Sequence, residues 1–397
     1  MKFLMTMFRI QDYGGIINHA EHLALGLRKL GHEVDFKILV PRSRIVERIT
    51  PPKDIDHYRL KGTGYRFHQA RGWFGVPRIS YLDSDTRLKF RQECGSYEAV
   101  LWHIPVPTLS AENESIDEWL ELYDNGTKNI AIIKCLGIPR KLIVNPFEIE
   151  GLDKFRNDFE NRGGFVAIQV FKGWKRMDTL IRAIPFMTND QAKIIGGAGI
   201  DYRYMVSKTK CKPKFFEPDG SRIWDNAVAA GMKYKGTLPN EAVFKFLAKA
   251  RIQIDPSWSR KYSSYGAHFN RTTVEAIIAG AIPLATDLGM FDSKIFEKDK
   301  NYVEVPYQAH PAEFAAIVDK ALTDKNQWVR IKENNLKLVQ QFDLTSVAQQ
   351  YVDLVKDKSN LSIGQVDLKT LDKCNKNLDF FGIEPLVLKP HTETSLL

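Results

Sequence analysis

The sequence has no uninterrupted apolar run of about 18 residues, the length a spanning helix needs, so a transmembrane segment is not expected. Cysteine is scarce: four in 397 residues, at 94, 135, 211 and 374, with no CxxC spacing. That scatter supports neither a zinc site nor a disulfide framework, and it suits a reducing, cytoplasmic compartment. The opening MKFLMTMFRIQDYGG is followed by no small-residue cleavage site, so it reads as a buried first strand rather than a signal peptide. Internal repeats and low-complexity tracts are also missing. Glycine (26) and proline (18) are at ordinary levels, which excludes a collagen-like or disordered chain.

What is present is a soluble, globular composition with a mild basic excess. Hydrophobic residues make up 44 % and charged residues 26 %, and 57 Lys+Arg against 48 Asp+Glu leave a net charge of +9. The length favours two domains, each large enough for its own core. Lys2–Phe8, a turn at Gln11–Gly15, apolar residues at helical spacing from Ile16 to Leu30, and Glu33–Val40 read as strand, loop, helix, strand. That opening predicts a doubly wound α/β domain. Ala99–Ile104 reads as a further strand and Ser115–Tyr123 as an amphipathic helix, while residues 41–91 read as irregular. The stretch from 104 to 150 reads as one or two strands short of a complete domain.

A second α/β unit begins near Phe165. Strands are expected at Phe165–Phe171, Ala192–Ile195, Lys233–Gly236, Ile252–Asp255 and Ile282–Thr286. Helices are expected at Asp178–Ile184, Glu241–Ala250, Thr272–Ala279, Pro311–Leu322 and Thr345–Lys356. The domain reading is therefore 1–150, carrying a basic insertion at 41–91, then 165–356, with Gly151–Gly164 as linker and 357–397 as a polar tail. Two such halves predict a cleft lined by the carboxyl ends of the strands, where α/β sheets bind ligands.

The most informative segment runs from Phe269 to Asp287. Asn270 suits a helix cap, and the N–H groups of the turn beginning Asn270-Arg271-Thr272 make an anion site for a phosphate. Glu275, about a turn further on, is placed to accept hydrogen bonds from a ribose diol, or is simply a surface residue of an ordinary helix. The segment resembles the signature of retaining glycosyltransferases of the GT-B fold, family 4 type. There an acid precedes a second Glu by eight positions, with Ala, Gly and Pro following before a strand. Four further stretches match in order: Phe3–Val34 with its Gly14-Gly15 loop and Gly31-His32-Glu33-Val34 ending, Trp174–Ile181, Ile194–Gly199, and Tyr234–Pro239 with Asp255-Pro256-Ser257.

The resemblance implies two Rossmann-like domains facing across a cleft and a nucleotide-sugar donor, UDP-linked. It implies Glu275 on the donor ribose and Lys175 on the pyrophosphate, with Gly14 and Gly15 letting a loop approach the sugar. Thr237 and Leu238 would pack against the base. Two departures stand out. The first acid of the pair is replaced by Ala267, which leaves His268 or Asn270 to read the sugar. An expected Arg is replaced by Val170, so Lys172 would share the charge of the diphosphate with Lys175. His103, after Trp102, suits either a core histidine or the one that retaining enzymes place beside the reacting sugar. His19 and His22 read as packing or solvent residues. No metal is required, and no cofactor beyond the donor.

For the acceptor, residues 41–91 hold 12 Lys/Arg and five Asp/Glu, so 12 − 5 gives +7 of the total charge. Aromatic residues are interleaved, among them Tyr65, Phe67, Trp73 and Phe74. Basic side chains neutralise phosphates and aromatic ones can wedge beside an extruded base. Arg59, Arg66, Arg71, Trp73 and Arg78, with Lys210 and Lys212 of a second basic run, are therefore the candidate DNA contacts. The alternative is a solvated basic face. Val106–Ser110, the stretch through Asn125, and Lys172–Lys175 resemble the T-even phage DNA α-glucosyltransferases, which implies transfer to 5-hydroxymethylcytosine in duplex DNA, in a host cytoplasm. Rival readings are a cell-envelope glycosyltransferase with a lipid-linked or polysaccharide acceptor, and a basic nucleic-acid-binding protein with a vestigial sugar-nucleotide domain. Which sugar is carried, its linkage and the oligomeric state are not legible.

Overall fold

The structure is a computed structural model that describes residues 1–7, 15–41, 66–73, 95–102, 120–124, 129–132, 140–257, 271–286 and 295–356. It divides into two compact units, one formed by 1–143 together with the chain from Val347, the other by Val144–Ser346.

The first unit is built on a seven-stranded sheet. In chain order its strands are β1 (Lys2–Met7), β2 (Glu33–Pro41), β3 (Arg66–Trp73), β4 (Ala99–Trp102), β5 (Leu120–Asp124), β6 (Asn129–Ile132) and β7 (Arg140–Leu142). Their spatial order is β3-β2-β1-β4-β5-β6-β7, parallel as far as β5 and antiparallel beyond it. In the central strands β1 and β4, Phe3, Leu4, Met5, Ala99, Val100 and Leu101 are buried, as strands covered on both faces require. Helix Gly15–Lys29 follows β1 and turns Ala20, Leu23, Ala24 and Leu27 inward at helical spacing.

Three expectations are corrected here. Arg66–Trp73, expected to be irregular, is a strand paired with β2 from Asp35↔Arg66 onward. It lies at the sheet edge, where a strand tolerates Arg, His, Gln and Gly because it pairs on one side only. Leu120–Asp124, expected within a helix, is a strand beside β4. The alternation of Leu120 and Leu122 with Glu121 and Tyr123 satisfies a period of two as readily as a helical one. The stretch expected to be short of strands supplies β5, β6 and β7. Residues 115–119 lie outside the described residues.

The second unit carries β8 (Phe165–Ile168), β9 (Lys193–Gly196), β10 (Met232–Tyr234), β11 (Ile252–Asp255), β12 (Ile282–Thr286) and β13 (Val303–Val305). All six are parallel, in the order β10-β9-β8-β11-β12-β13. Counted from β8 this is the order 3-2-1-4-5-6 of doubly wound nucleotide-binding folds. Alternation along β8 sends Phe165 and Ala167 into one core, with Ile195, Ile252, Ile254 and Leu284, and Val166 and Ile168 into another, with Val243, Leu247 and Ala276. Each fully buried aliphatic or aromatic side chain contributes about 1.5–3 kcal/mol. Helices Met177–Ala183, Asn240–Lys249, Arg271–Ala279, Pro311–Thr323 and Leu344–Lys356 fall where expected to within a residue or two. Those at Ile200–Val206, Ile223–Ala229 and Lys325–Leu336 were not anticipated.

The segment read as a linker is folded, with 3₁₀ turns at Asp153–Phe155 and Phe159–Asn161. Its Arg162 is 3 % exposed and donates to five carbonyls: Asn157, Leu247, Ala250, Phe155 and Ala279. Three of these lie at the ends of helices Asn240–Lys249 and Arg271–Ala279, where unpaired carbonyls and the negative end of the helix dipole favour a cation.

Candidate functional site

In the second unit β8 and β11 are neighbours, while the chain leaves them for strands on opposite sides, β9 and β12. The carboxyl ends of such a pair form the crevice where doubly wound sheets bind ligands. After β8 come Gln169–Phe171, then Lys172, a 3₁₀ turn at Gly173–Lys175, Arg176 in the left-handed region at φ 50°, and helix Met177–Ala183. After β11 come Pro256 and Ser257, and further on helix Arg271–Ala279.

The glycine run Gly196–Gly199 shapes the loop leaving β8. Gln169 N–H donates to Gly196 O at 3.1 Å and Phe171 N–H to Ala198 O at 2.9 Å, extending the β8–β9 pairing beyond the strands. Gly197 has φ 113°, and a Cβ there would stand 1.8 Å from the Gln169 carbonyl oxygen. Only glycine permits that approach. Gly197→Ala is expected to cost about 3 kcal/mol, from left-handed backbone strain and the clash together, measured by thermal or urea denaturation. A change below about 0.5 kcal/mol, the usual size of a surface substitution, would show that the loop simply moves aside.

Lys175 is 5 % exposed, and burial brings its pKa down to about 8. Asp255 opposes that shift by favouring the ammonium, while Lys172 adds to it. Lys172 itself is exposed. Asp255 is fully buried and accepts hydrogen bonds from Ser257 N–H at 3.1 Å, from the Ser257 hydroxyl, and from the Thr273 hydroxyl at 3.3 Å. Gln169 Nε2 reaches Thr272 Oγ1 at 3.4 Å, and Thr286 Oγ1 donates to Ser257 O at 2.6 Å. These bonds tie the ends of β8, β11 and β12 to the start of helix Arg271–Ala279.

Glu275 sits one turn into that helix and is 4 % exposed. Burial raises its pKa, and Arg271, whose Nε lies 4.0 Å from Glu275 Oε1, pulls it down. The Arg271 guanidinium also rests on the Phe147 ring at 4.1 Å and donates to Pro146 O at 3.3 Å. Its charge thus lies near Glu275 and over the Phe147 ring. The set offers cations for an anion at Lys172 and Lys175, and a carboxyl for hydroxyl groups at Glu275.

Gly197 N–H donates to Gly236 O at 2.7 Å, which brings the loop after β10 to the glycine run. On that loop Thr237 is exposed, and Leu238 is half-buried against the Val166 and Ile168 core. Gly15 begins helix Gly15–Lys29. Arg66, Arg71 and Trp73 lie along β3. Lys210 and Lys212 are exposed, and Lys212 Nζ lies 4.1 Å from the Tyr204 ring. His19 is buried, its Nε2 3.5 Å from the Tyr351 hydroxyl. Gly14, Arg59, Arg78, His103, His268 and Asn270 lie outside the described residues. Sequence reasoning gave no role to Gln169, Asp255, Thr273 or Arg162. Asp255 carried a signal nonetheless, a charged residue ending a short central strand whose other residues are uncharged. Among the described residues no cluster of His, Cys, Asp and Glu suits a metal ion, and no helix is long and apolar enough to cross a membrane.

This is the fold of the GT-B glycosyltransferases, two Rossmann-like units in one chain. Among solved structures, HepE of Anabaena in complex with UDP aligns over 90 % of this chain and 100 % of its own, at 14 % identity and a TM-score of 0.60. Sucrose-phosphate synthase of Thermosynechococcus elongatus aligns over 91 % and 100 %, at 13 % identity and 0.59. The lipopolysaccharide outer core galactosyltransferase WaaB aligns over 90 % and 100 %, at 13 % identity and 0.55. The sequence matches no protein-family model and no curated protein.

Proposed function

We propose that the chain is a retaining glycosyltransferase that takes a sugar from a UDP-linked donor and passes it to a hydroxymethylated base of duplex phage DNA. The observation that carries the donor half is the arrangement at one end of one sheet. A buried lysine follows β8, and a buried glutamate lies in the helix that Gln169 ties to β8, at the switch point of a 3-2-1-4-5-6 parallel sheet. The likeness to HepE, whose structures hold UDP and UDP-glucose, supports UDP as the nucleotide.

Catalysis on this reading is positioning and electrostatics. Lys175 and Lys172, with the first N–H groups of helix Arg271–Ala279, offset the charge that grows on the departing diphosphate. Glu275 fixes the ribose. The acceptor hydroxyl forms the new bond to the anomeric carbon as the bond to the diphosphate breaks, and its proton goes to the leaving phosphate oxygen or to His103.

The acceptor half rests on charge: a net seven positive charges in 41–91, part of them on the edge strand β3 with Arg66 and Arg71. A second reading, a lipid-linked or polysaccharide acceptor of the cell envelope, is favoured by the likeness to WaaB. Incubation with labelled UDP-sugar and hydroxymethylated duplex DNA, unmodified DNA or lipid-linked glycan separates the two. Label is expected on the hydroxymethylated DNA alone; label on the glycan alone would replace the DNA reading with the second. For the donor, Glu275→Ala is expected to weaken UDP binding by about 3 kcal/mol, roughly a hundredfold in Kd, through the loss of hydrogen bonds to a charged group. Unchanged affinity by calorimetry would remove Glu275 from the ribose.

A further inference from the structure

Tyr234 carries a phenol hydroxyl for which the donor reading has no use. It ends β10, and its ring stands among three others: stacked on Tyr202 with centroids 4.6 Å apart, edge-on to Trp224 at 5.3 Å and edge-on to Phe171 at 6.3 Å. Packing alone would be met by phenylalanine, yet the hydroxyl has a definite partner: it donates to the carbonyl oxygen of Gly197. Burial first, and Tyr202 after it, raise the Tyr234 pKa, so the hydroxyl keeps its proton at neutral pH.

The carbonyl it meets belongs to the peptide that joins Gly197 to Ala198. Gly197 has φ 113°, a region left to glycine, and a glycine peptide turns readily unless something outside the loop holds it. On one side Gly197 N–H donates to Gly236 O at 2.7 Å, on the other Phe171 N–H donates to Ala198 O at 2.9 Å, and Tyr234 fixes the peptide plane between them. In a trans peptide the C=O and the N–H point in opposite directions. With its C=O drawn toward Tyr234 on β10, this peptide turns the Ala198 N–H to the other side of β9, where β8 and the crevice lie. Among the described residues that N–H donates to none, and Ala198 is exposed. It belongs to the loop, two residues ahead of helix Ile200–Val206, and takes its aim from the phenol rather than from the helix.

We infer that Tyr234 is a positioning residue that holds the Ala198 N–H as a hydrogen-bond donor to an oxygen of the bound nucleotide. This rests on the donor reading given above. A backbone donor fixed in advance loses no side-chain freedom on binding, whereas the exposed Lys172 must be ordered to make its contact. Diphosphate and uracil oxygens offer an N–H the same chemistry, and the experiment separates them.

The Ala198 amide resonance is followed by NMR with isotope-labelled alanine and assigned by its loss in Ala198→Gly. It is expected to shift on saturation with UDP. A shift with pyrophosphate as well places the bond on the diphosphate; a shift with UDP alone places it on the nucleoside. Tyr234→Phe keeps the ring and removes the hydroxyl. Its UDP affinity by calorimetry is expected to fall about tenfold, with a Tm within a few degrees of wild type and a smaller Ala198 shift. Trp224→Phe disturbs the ring cluster and leaves the hydroxyl, so the Tm is expected to fall with UDP affinity within about twofold of wild type.

An Ala198 resonance unmoved at saturating UDP would overturn the inference. So would Tyr234→Phe binding UDP as wild type does, or affinity falling in step with Tm in both variants, the pattern of a phenol that is only structural. Should Tyr234→Phe fail to fold, the wild-type Ala198 resonance still puts the inference at risk. A wild-type protein that binds no UDP takes the donor reading down and this inference with it; UDP bound with Ala198 unmoved is the failure of the inference alone.

Discussion

Lys175→Met is expected to keep the fold and to lose roughly a thousandfold in kcat/KM for sugar transfer, about 4 kcal/mol of transition-state stabilisation. The argument rests on where charge appears. As the sugar leaves, negative charge gathers on the diphosphate oxygens, and an ammonium shielded from water interacts with it more strongly than one in solvent. Lys172 is exposed and provides only a screened remainder. Methionine nearly matches lysine in volume, and it removes the desolvation penalty of a buried charge. Asp255 keeps its three donors from Ser257 and Thr273, so the carboxylate is not stranded. Activity and stability should therefore separate: a large kinetic loss with a Tm within a few degrees of wild type. A kcat/KM within about threefold of wild type would take Lys175 out of the reaction.

Arg162→Met should do the opposite, with a loss of stability of about 3–5 kcal/mol and a fall in Tm of roughly 10 °C for a unit of this size. Five carbonyl oxygens lose this donor at once; Asn157 O keeps Lys332 Nζ and Phe155 O keeps the Asn157 N–H, whereas the bonds lost at Leu247, Ala250 and Ala279, at the ends of two helices, are buried. Burial lowers the Arg162 pKa to about 10, which leaves the side chain charged at neutral pH, held by carbonyls rather than by a paired acid. Arg162→Lys recovers little, because one ammonium cannot span five acceptors set around a planar guanidinium. Equilibrium denaturation in urea gives the number; a loss under about 1 kcal/mol would mean that water takes over the carbonyls.

The second unit was the more legible half because its strands are short apolar runs separated by helical periods and closed by glycines. The Phe165, Ile252 and Ile282 strands begin where the pattern places them. The first unit was less legible where one pattern fits two structures, as at Leu120–Asp124, or where charge hides a strand, as at Arg66–Trp73. Lys175 and Glu275 were singled out by their place in ordered motifs, but their burial was not legible, since it depends on what packs around them. Asp255 and Arg162 went unassigned for a related reason. What defines Arg162 is its bonds to residues 85 to 117 positions away, and no local window contains them.

The first unit is discontinuous: helix Leu344–Lys356 begins in the second unit and from Val347 belongs to the first, where Val347, Tyr351 and Val355 are buried and Tyr351 meets His19 on helix Gly15–Lys29. That arrangement sets an order of events on the ribosome. Residues 1–143 emerge early but lack a covering for part of their apolar face until the whole second unit has been made. At about 5–20 residues per second the wait is roughly 10–40 s. Through that interval the second unit can close on its own contacts while the first stays an open, sticky half. Helix Leu344–Lys356 is therefore a latch on synthesis, and the step that makes the nascent first unit safe from aggregation comes only after the second unit has been translated.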